Sequence, residues 1–154
     1  MTIDDIVDLV RSFDGTLAFT AVPGDGSPDI AWGDTFFYYA PDGTMPEKTQ
    51  PFATIVTKNY PGDERSRLDR PGTFRVNIAA GKATFIEQTG HGPRNLPDDF
   101  DAGVGDTVMP HPVYGALGWV AVVNPGTATE ATIRGLLRRA YDLARSRHVR
   151  RAGR

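Results

Sequence analysis

Lys58, Arg75, Asn77 and His111 are side chains whose types and placement could do chemistry. Arg75 and Asn77 stand two apart in the alternating stretch 73–79, where Phe74, Val76 and Ile78 point one way and Arg75 and Asn77 the other. Lys58 ends a neighbouring apolar stretch, and His111 sits on a proline-stiffened loop. A guanidinium grips a carboxylate or phosphate with two parallel N–H groups, and an ammonium adds a point charge, so such a face suits an anion. Trp32 and Tyr38 belong to an aromatic-dense stretch with Phe36, Phe37 and Tyr39 and could stack a planar body. Trp32, Tyr38, Lys58, Arg75, Asn77 and His111 therefore form the candidate small-molecule site, with His111 giving or taking one hydrogen bond. The same residues also fit a solvated sheet face carrying a salt bridge, with the aromatics covered on both sides.

No catalytic constellation accompanies them. Histidine titrates near neutrality without tuning, yet neither His91 nor His111 stands in a G-x-S-x-G, Ser/His/Asp or H-E-x-x-H context. Cysteine is absent, which excludes disulfides, thiolate nucleophiles and thiolate metal sites. Asp25, Asp29, Asp34, Asp98, Asp99 and Asp101 fall in turn-rich stretches and read as turn and solubility residues. Gly24-Asp25-Gly26 lacks a following helix and Gly103-Val104-Gly105 a preceding strand, so neither reads as a phosphate loop. No catalytic residue, metal or cofactor is expected, and a binding domain is favoured over an enzyme.

Charge is unevenly spread over the 154 residues. The net charge of −2 conceals eight arginines against one acid in residues 133–154, a local +7, and −9 over the rest. Arg134, Arg138, Arg145, Arg147, Arg150 and Arg151 could contact nucleic acid or another anionic partner, weakly and without sequence preference. They could equally face the chain's own acids or only water. Fourteen arginines against three lysines more simply reflect a GC-rich genome than selected chemistry.

These residues need elements to hold them. Ile3, Ile6, Val7 and Val10 keep helical spacing, with Thr2 and Asp5 as a capping box and Asp14-Gly15 as the stop. A second helix is expected over 127–146, opened by Thr127 and Glu130 and striped by Ile133, Leu136, Leu137, Ala140, Tyr141 and Ala144. Strands are expected at 16–22, 35–40, 52–58, 73–79 and 119–124, a turn or two of helix at 82–88, and loop over 90–110. Helix, strands, helix gives an α+β fold: a mostly antiparallel sheet with the N-terminal and C-terminal helices packed on one face. One domain over 1–146 is expected, followed by an arginine-rich tail over 147–154. No run of 18 apolar residues occurs and the start, MTIDDIVDLV, is acidic, so a soluble cytoplasmic protein without membrane contact is expected.

The segment HPVYGALGWVAVVNPGTATEATIRGLLRRAYDLARSR resembles the closing part of the MmcQ/YjbR-like family, with a Trp-led strand from Trp119 to Val123 and a helix carrying Ala140, Tyr141 and Leu143. GDTFFYYAPDG and FATIVTK are similar to the family's strand-turn and its lysine-ended third strand. The stretches YPGDERSRLDRPG and TFRVNIAAGKATFIEQTG depart from the family's shorter middle. The resemblance implies a CyaY-like α+β domain and a DNA contact, and supplies no catalytic residues. A soluble binding domain that touches nucleic acid through its arginine-rich end is thus one expectation. A small-molecule-binding protein or small enzyme using the aromatic and polar sheet face is the other.

Overall fold

Thr2 Oγ1 accepts the Asp5 amide at 3.1 Å while an Asp5 carboxylate oxygen accepts the Thr2 amide at 2.8 Å, which closes the expected capping box. In the computed structural model, which describes residues 1–153, the helix so opened is α1, Ile3–Arg11. The strands are β1 Thr16–Thr20, β2 Thr35–Tyr39, β3 Ala53–Val56, β4 Arg75–Ala79, β5 Met109–Pro110 and β6 Trp119–Val123. Helix α2, Lys82–Thr89, follows β4, and α3, Glu130–Ala152, closes the described chain.

The six strands make one antiparallel sheet in the order β1-β2-β3-β4-β6-β5, so the α+β class read from the sequence holds. Alternation splits each strand between two faces. Phe37, Ala53, Ile55, Val76, Ile78, Val120 and Val122 meet Ile6 and Val10 of α1, Phe85 of α2 and the Ile133, Leu136, Leu137, Ala140 and Tyr141 stripe of α3. The helices therefore share one face. On the other face Val56, Ala121, Val123 and Met109 are covered by Leu68 and Ala102, with Tyr60 and Phe100 alongside. Loops, not helices, seal that side.

Several boundaries differ from the sequence reading. The strand expected over 52–58 stops at Val56, because the Thr57 amide donates to the Asp34 carboxylate rather than to a neighbouring strand. Within the loop expected over 90–110, Met109–Pro110 pairs with β6 at the sheet edge. The helix expected to start at 127 starts at Glu130, and its cap is not the Thr127/Glu130 box. Asp106 takes that role from 20 residues upstream, accepting the Gly126, Ala128 and Thr129 amides at 2.8, 3.0 and 3.0 Å and the Thr129 hydroxyl at 2.6 Å. These bonds, led by the Thr129 hydroxyl, hold its pKa down to about 2. The boundary drawn at 146 also lies inside an element, since α3 runs unbroken to Ala152 and His148 packs edge-on against Tyr39 at 5.2 Å. Arg154, counted in the expected tail, lies outside the described residues. No helix among the described residues is long and apolar enough to cross a membrane.

Leu137 is fully buried in the helix-side core, so Leu137→Ala should cost about 2–5 kcal/mol through lost burial and the cavity left behind. Chemical denaturation reads this directly, and an unchanged midpoint would place the stripe outside the core. Asp106→Ala should lower the melting temperature because four donors at the start of α3 lose their acceptor, whereas Thr127→Ala should leave it unchanged. Equal effects of the two would restore the Thr127 cap.

Candidate functional site

Arg75 sits on the loop-covered face of β4 and is 1% exposed. A guanidinium removed from water must replace its hydration with protein acceptors or be strongly destabilising. Its Nε donates to Asn77 Oδ1 at 2.7 Å, its Nη1 to Asp63 Oδ1 at 3.0 Å and Ser66 Oγ at 2.9 Å, and its Nη2 to Asp63 Oδ2 at 2.6 Å. The fifth N–H direction meets His111 Nε2, 3.1 Å from Nη2. Four of the five donors thus meet oxygen acceptors, and the fifth faces the imidazole. Asn77 passes the network on, donating from Nδ2 to Thr54 Oγ1 at 3.0 Å. Burial pushes the Asp63 carboxyl up, but the Arg75 hydrogen bonds and charge outweigh it and hold the group below its usual range.

His111 is under competing demands. Its Nδ1 accepts the Val113 and Tyr114 amides, both at 3.0 Å, while its Nε2 faces the Arg75 donor. A neutral imidazole has one accepting nitrogen and one N–H, so one of these contacts lacks its ideal partner. Adding a proton would remove the one remaining acceptor. Burial first, then the Arg75 charge, push its pKa down to about 3 against the opposing pull of Asp63. His111 is therefore neutral at neutral pH and braces a turn.

A second cluster lies around Asp34, which is 0% exposed and which the sequence reading took for a turn residue. Its Oδ1 accepts the Thr57 amide at 2.8 Å and hydroxyl at 2.7 Å and stands 2.9 Å from Lys58 Nζ. Its other oxygen accepts the Tyr60 hydroxyl, and burial together with that contact pushes the Tyr60 pKa well up. Lys58 Nζ also donates to the Trp32 carbonyl at 2.8 Å. Extending the register one residue before Thr35 places Asp34 opposite Val56, and Val56 pairs with Arg75, so Asp34 and Arg75 lie on one face about 10 Å apart across β3.

The six residues proposed as a small-molecule site thus divide. Arg75, Asn77 and His111 form one buried network, and Lys58 with the Trp32 backbone belongs to the Asp34 cluster. Tyr38 is half-buried on β2 opposite Leu17, in neither cluster. A cleft of about 720 Å³ beside Thr57 takes Lys58 from the six as a wall, and a second of about 560 Å³ beside Gly118 takes none of them. Asp63, Ser66 and Asp34 were missed as site residues. The available signal was Arg75 itself, because an arginine within a strand flanked by buried loops needs an acid close by.

The arginines of α3 also divide. Arg134 faces Glu130 at 4.0 Å, Arg138 pairs with Asp142 at 3.3 Å and lies over the Phe13 and Tyr141 rings, and Arg139 approaches Glu87 at 3.8 Å. Arg145, Arg147, Arg150 and Arg151 make no ion pair among the described residues and are exposed. Among the described residues no group of three or more His, Cys, Asp or Glu could hold a metal ion.

Residues 1–153 match the family of unknown function DUF6194. The chain belongs to DUF6194. No curated protein and no solved structure matches this DUF6194 chain, and nothing links it to the MmcQ/YjbR-like family.

Because His111 of the DUF6194 chain takes up a proton near pH 6.5 when unfolded and near 3 when folded, the unfolded state binds the proton first. The His111 contribution is fully present above pH 6.5 and declines as pH falls from 6.5 toward 3, with Asp63 adding its own loss once pH falls below the usual carboxylate range. Urea midpoints of the wild type should therefore fall more steeply between pH 6.5 and 4 than those of His111→Gln. Parallel curves would mean that the fold does not hold His111 neutral.

Proposed function

We propose that this protein is a non-catalytic binding domain whose α3 C-terminal end contacts an anionic polymer, of which duplex nucleic acid is the reading favoured. One observation carries it: α3 continues as a helix past the body, and from Val149 to Gly153 each residue is exposed. Arg145, Arg147, Arg150 and Arg151 are carried there without acidic partners among the described residues. Arg145 to Arg151 spans about 9 Å of helix axis, a length over which duplex DNA presents roughly five phosphate charges. The small-molecule alternative, as drawn on Arg75 and His111, loses support because those donors are already used within the fold.

With about four phosphate contacts, log Kd against log salt should have a slope near 3.6, so affinity falls roughly 100-fold between 50 and 200 mM salt. Fluorescence anisotropy with a labelled duplex of mixed sequence measures this. The quadruple change Arg145→Gln, Arg147→Gln, Arg150→Gln and Arg151→Gln should abolish binding while leaving the far-ultraviolet circular dichroism unchanged, and two unrelated duplexes should bind alike. Binding that keeps its salt slope in the quadruple variant would put the contact elsewhere.

A further inference from the structure

The cleft of about 720 Å³ lies where residues 57–59, the turn 68–73 and the start of α1 meet, and it is lined by Ile3, Leu68 and Phe74 on its apolar side. Its polar wall is Lys58, Asn59 and Arg70. Each of these three is anchored by part of its hydrogen-bonding capacity and has donors left over. Lys58 Nζ spends one proton on the Trp32 carbonyl and one on Asp34, leaving a third. Arg70 spends Nε on the Arg67 carbonyl and Nη2 on the Ser66 and Gly103 carbonyls, and both Nη1 protons have no partner among the described residues. Asn59 accepts the Leu68 amide through Oδ1, which orients the amide and leaves both Nδ2 protons without a partner among the described residues.

Anchored groups with spare donors are the inverse of Arg75. Arg75 has nothing left to offer, whereas these three hold their positions and still present N–H groups. Only Asp69 brings a carboxylate to the wall, and the Asp34 charge is already covered by Lys58, Thr57 and Tyr60. A volume of this size with an apolar side and a few convergent polar groups has the usual form of a small-molecule site. From these observations we infer that the cleft binds a small amphipathic anion, with its carboxylate or phosphate head on Lys58, Asn59 and Arg70 and its aliphatic body on Ile3, Leu68 and Phe74.

The site is independent of the α3 end. The Phe74 carbonyl accepts the Asn124 amide and the Met1 ammonium donates to the Pro125 carbonyl, which puts the cleft beside the loop that leads into the start of α3. About 34 Å of helix lies between the start of α3 and Ala152.

The test uses octanoate, octyl phosphate, 1-octanol and inorganic phosphate as probes on the full chain, followed by amide chemical shifts in two-dimensional NMR. Octanoate or octyl phosphate should give saturable shifts centred on Thr57, Lys58, Asn59, Thr73 and Phe74, and whichever binds tighter identifies the head group. Octanol and inorganic phosphate should each bind at least tenfold more weakly, since each supplies half of the recognition. Arg70→Gln should weaken the better anion at least fivefold, and Thr73→Trp, which fills the cleft from a half-buried position, should abolish its shifts. The wild-type probe comparison needs no variant to fold. Octanol binding as tightly as octanoate, inorganic phosphate binding as tightly as octyl phosphate, or shifts centred outside the cleft would overturn the inference.

Discussion

A guanidinium buried under loops is the constraint on which one whole side of this molecule depends. Arg75 is charged at any pH the protein meets, and it is fixed on a central strand between β3 and β6. Leaving such a group unpaired costs about 3–5 kcal/mol, a large part of the roughly 5–15 kcal/mol that stabilises a domain. The loop that carries Asp63 and Ser66 must therefore close over β4, and the loop that carries His111 must approach from the opposite edge. Once closed, they bring Leu68, Tyr60 and Met109 onto Val56, Ala121 and Val123. The apolar cluster on that face and the ionic network support one another, because apolar cover excludes the water that would otherwise solvate the arginine.

The elements were legible where the signal was local. The capping box of Thr2 and Asp5, the α3 stripe and the alternation of β4 each lie within a few residues, and each element formed with the predicted face buried. What was not legible acts over longer separations. Asp106 caps α3 from 20 residues away, so the nearer Thr127/Glu130 pair took its place in the sequence reading. Alternation correctly placed Arg75 and Asn77 together on the face away from the helices, but not whether that face is wet. Polar strand residues are usually solvated, and only the cover supplied by the loops near residues 60–68 and 100–103 reverses the expectation here. Asp34 was misread for the same reason, since an aspartate after a glycine is ordinarily a turn residue and becomes a buried acceptor only because β3 delivers Thr57, Lys58 and Tyr60 to it.

Pairing within the fold and exposure to solvent thus fall to different cations of one chain. Arg75 is paired inside the protein, and the first half of α3 pairs its charge at the surface: Arg138 lies between Asp142 and two aromatic rings, and Arg139 reaches Glu87 and the Thr84 hydroxyl at 2.8 Å. Lys58 and Arg70 are held by some of their protons and offer the rest. The last turns of α3 offer nearly everything.

Whether the terminal arginines serve the helix itself is a matter of magnitudes. Cations near a helix C-terminus gain about 0.3–1 kcal/mol each from the unsatisfied carbonyls, but only within the last turn, which here holds Arg150 and Arg151. Arg147 stands three and four residues from Arg150 and Arg151, and like charges at those spacings cost about 0.2–0.5 kcal/mol per pair. The gain of about 0.6–2 kcal/mol for the two outweighs the cost of about 0.4–1 kcal/mol, so the helix end accounts for Arg150 and Arg151, but Arg145 and Arg147 gain little from it. Packing does not explain them either, because beyond His148 on Tyr39 the helix has no wall to lie against. Neither the helix end nor packing accounts for Arg145 and Arg147, whose side chains stand exposed to solvent. The rest of the chain carries a net −9, so the charge of this molecule is polarised towards the end of α3.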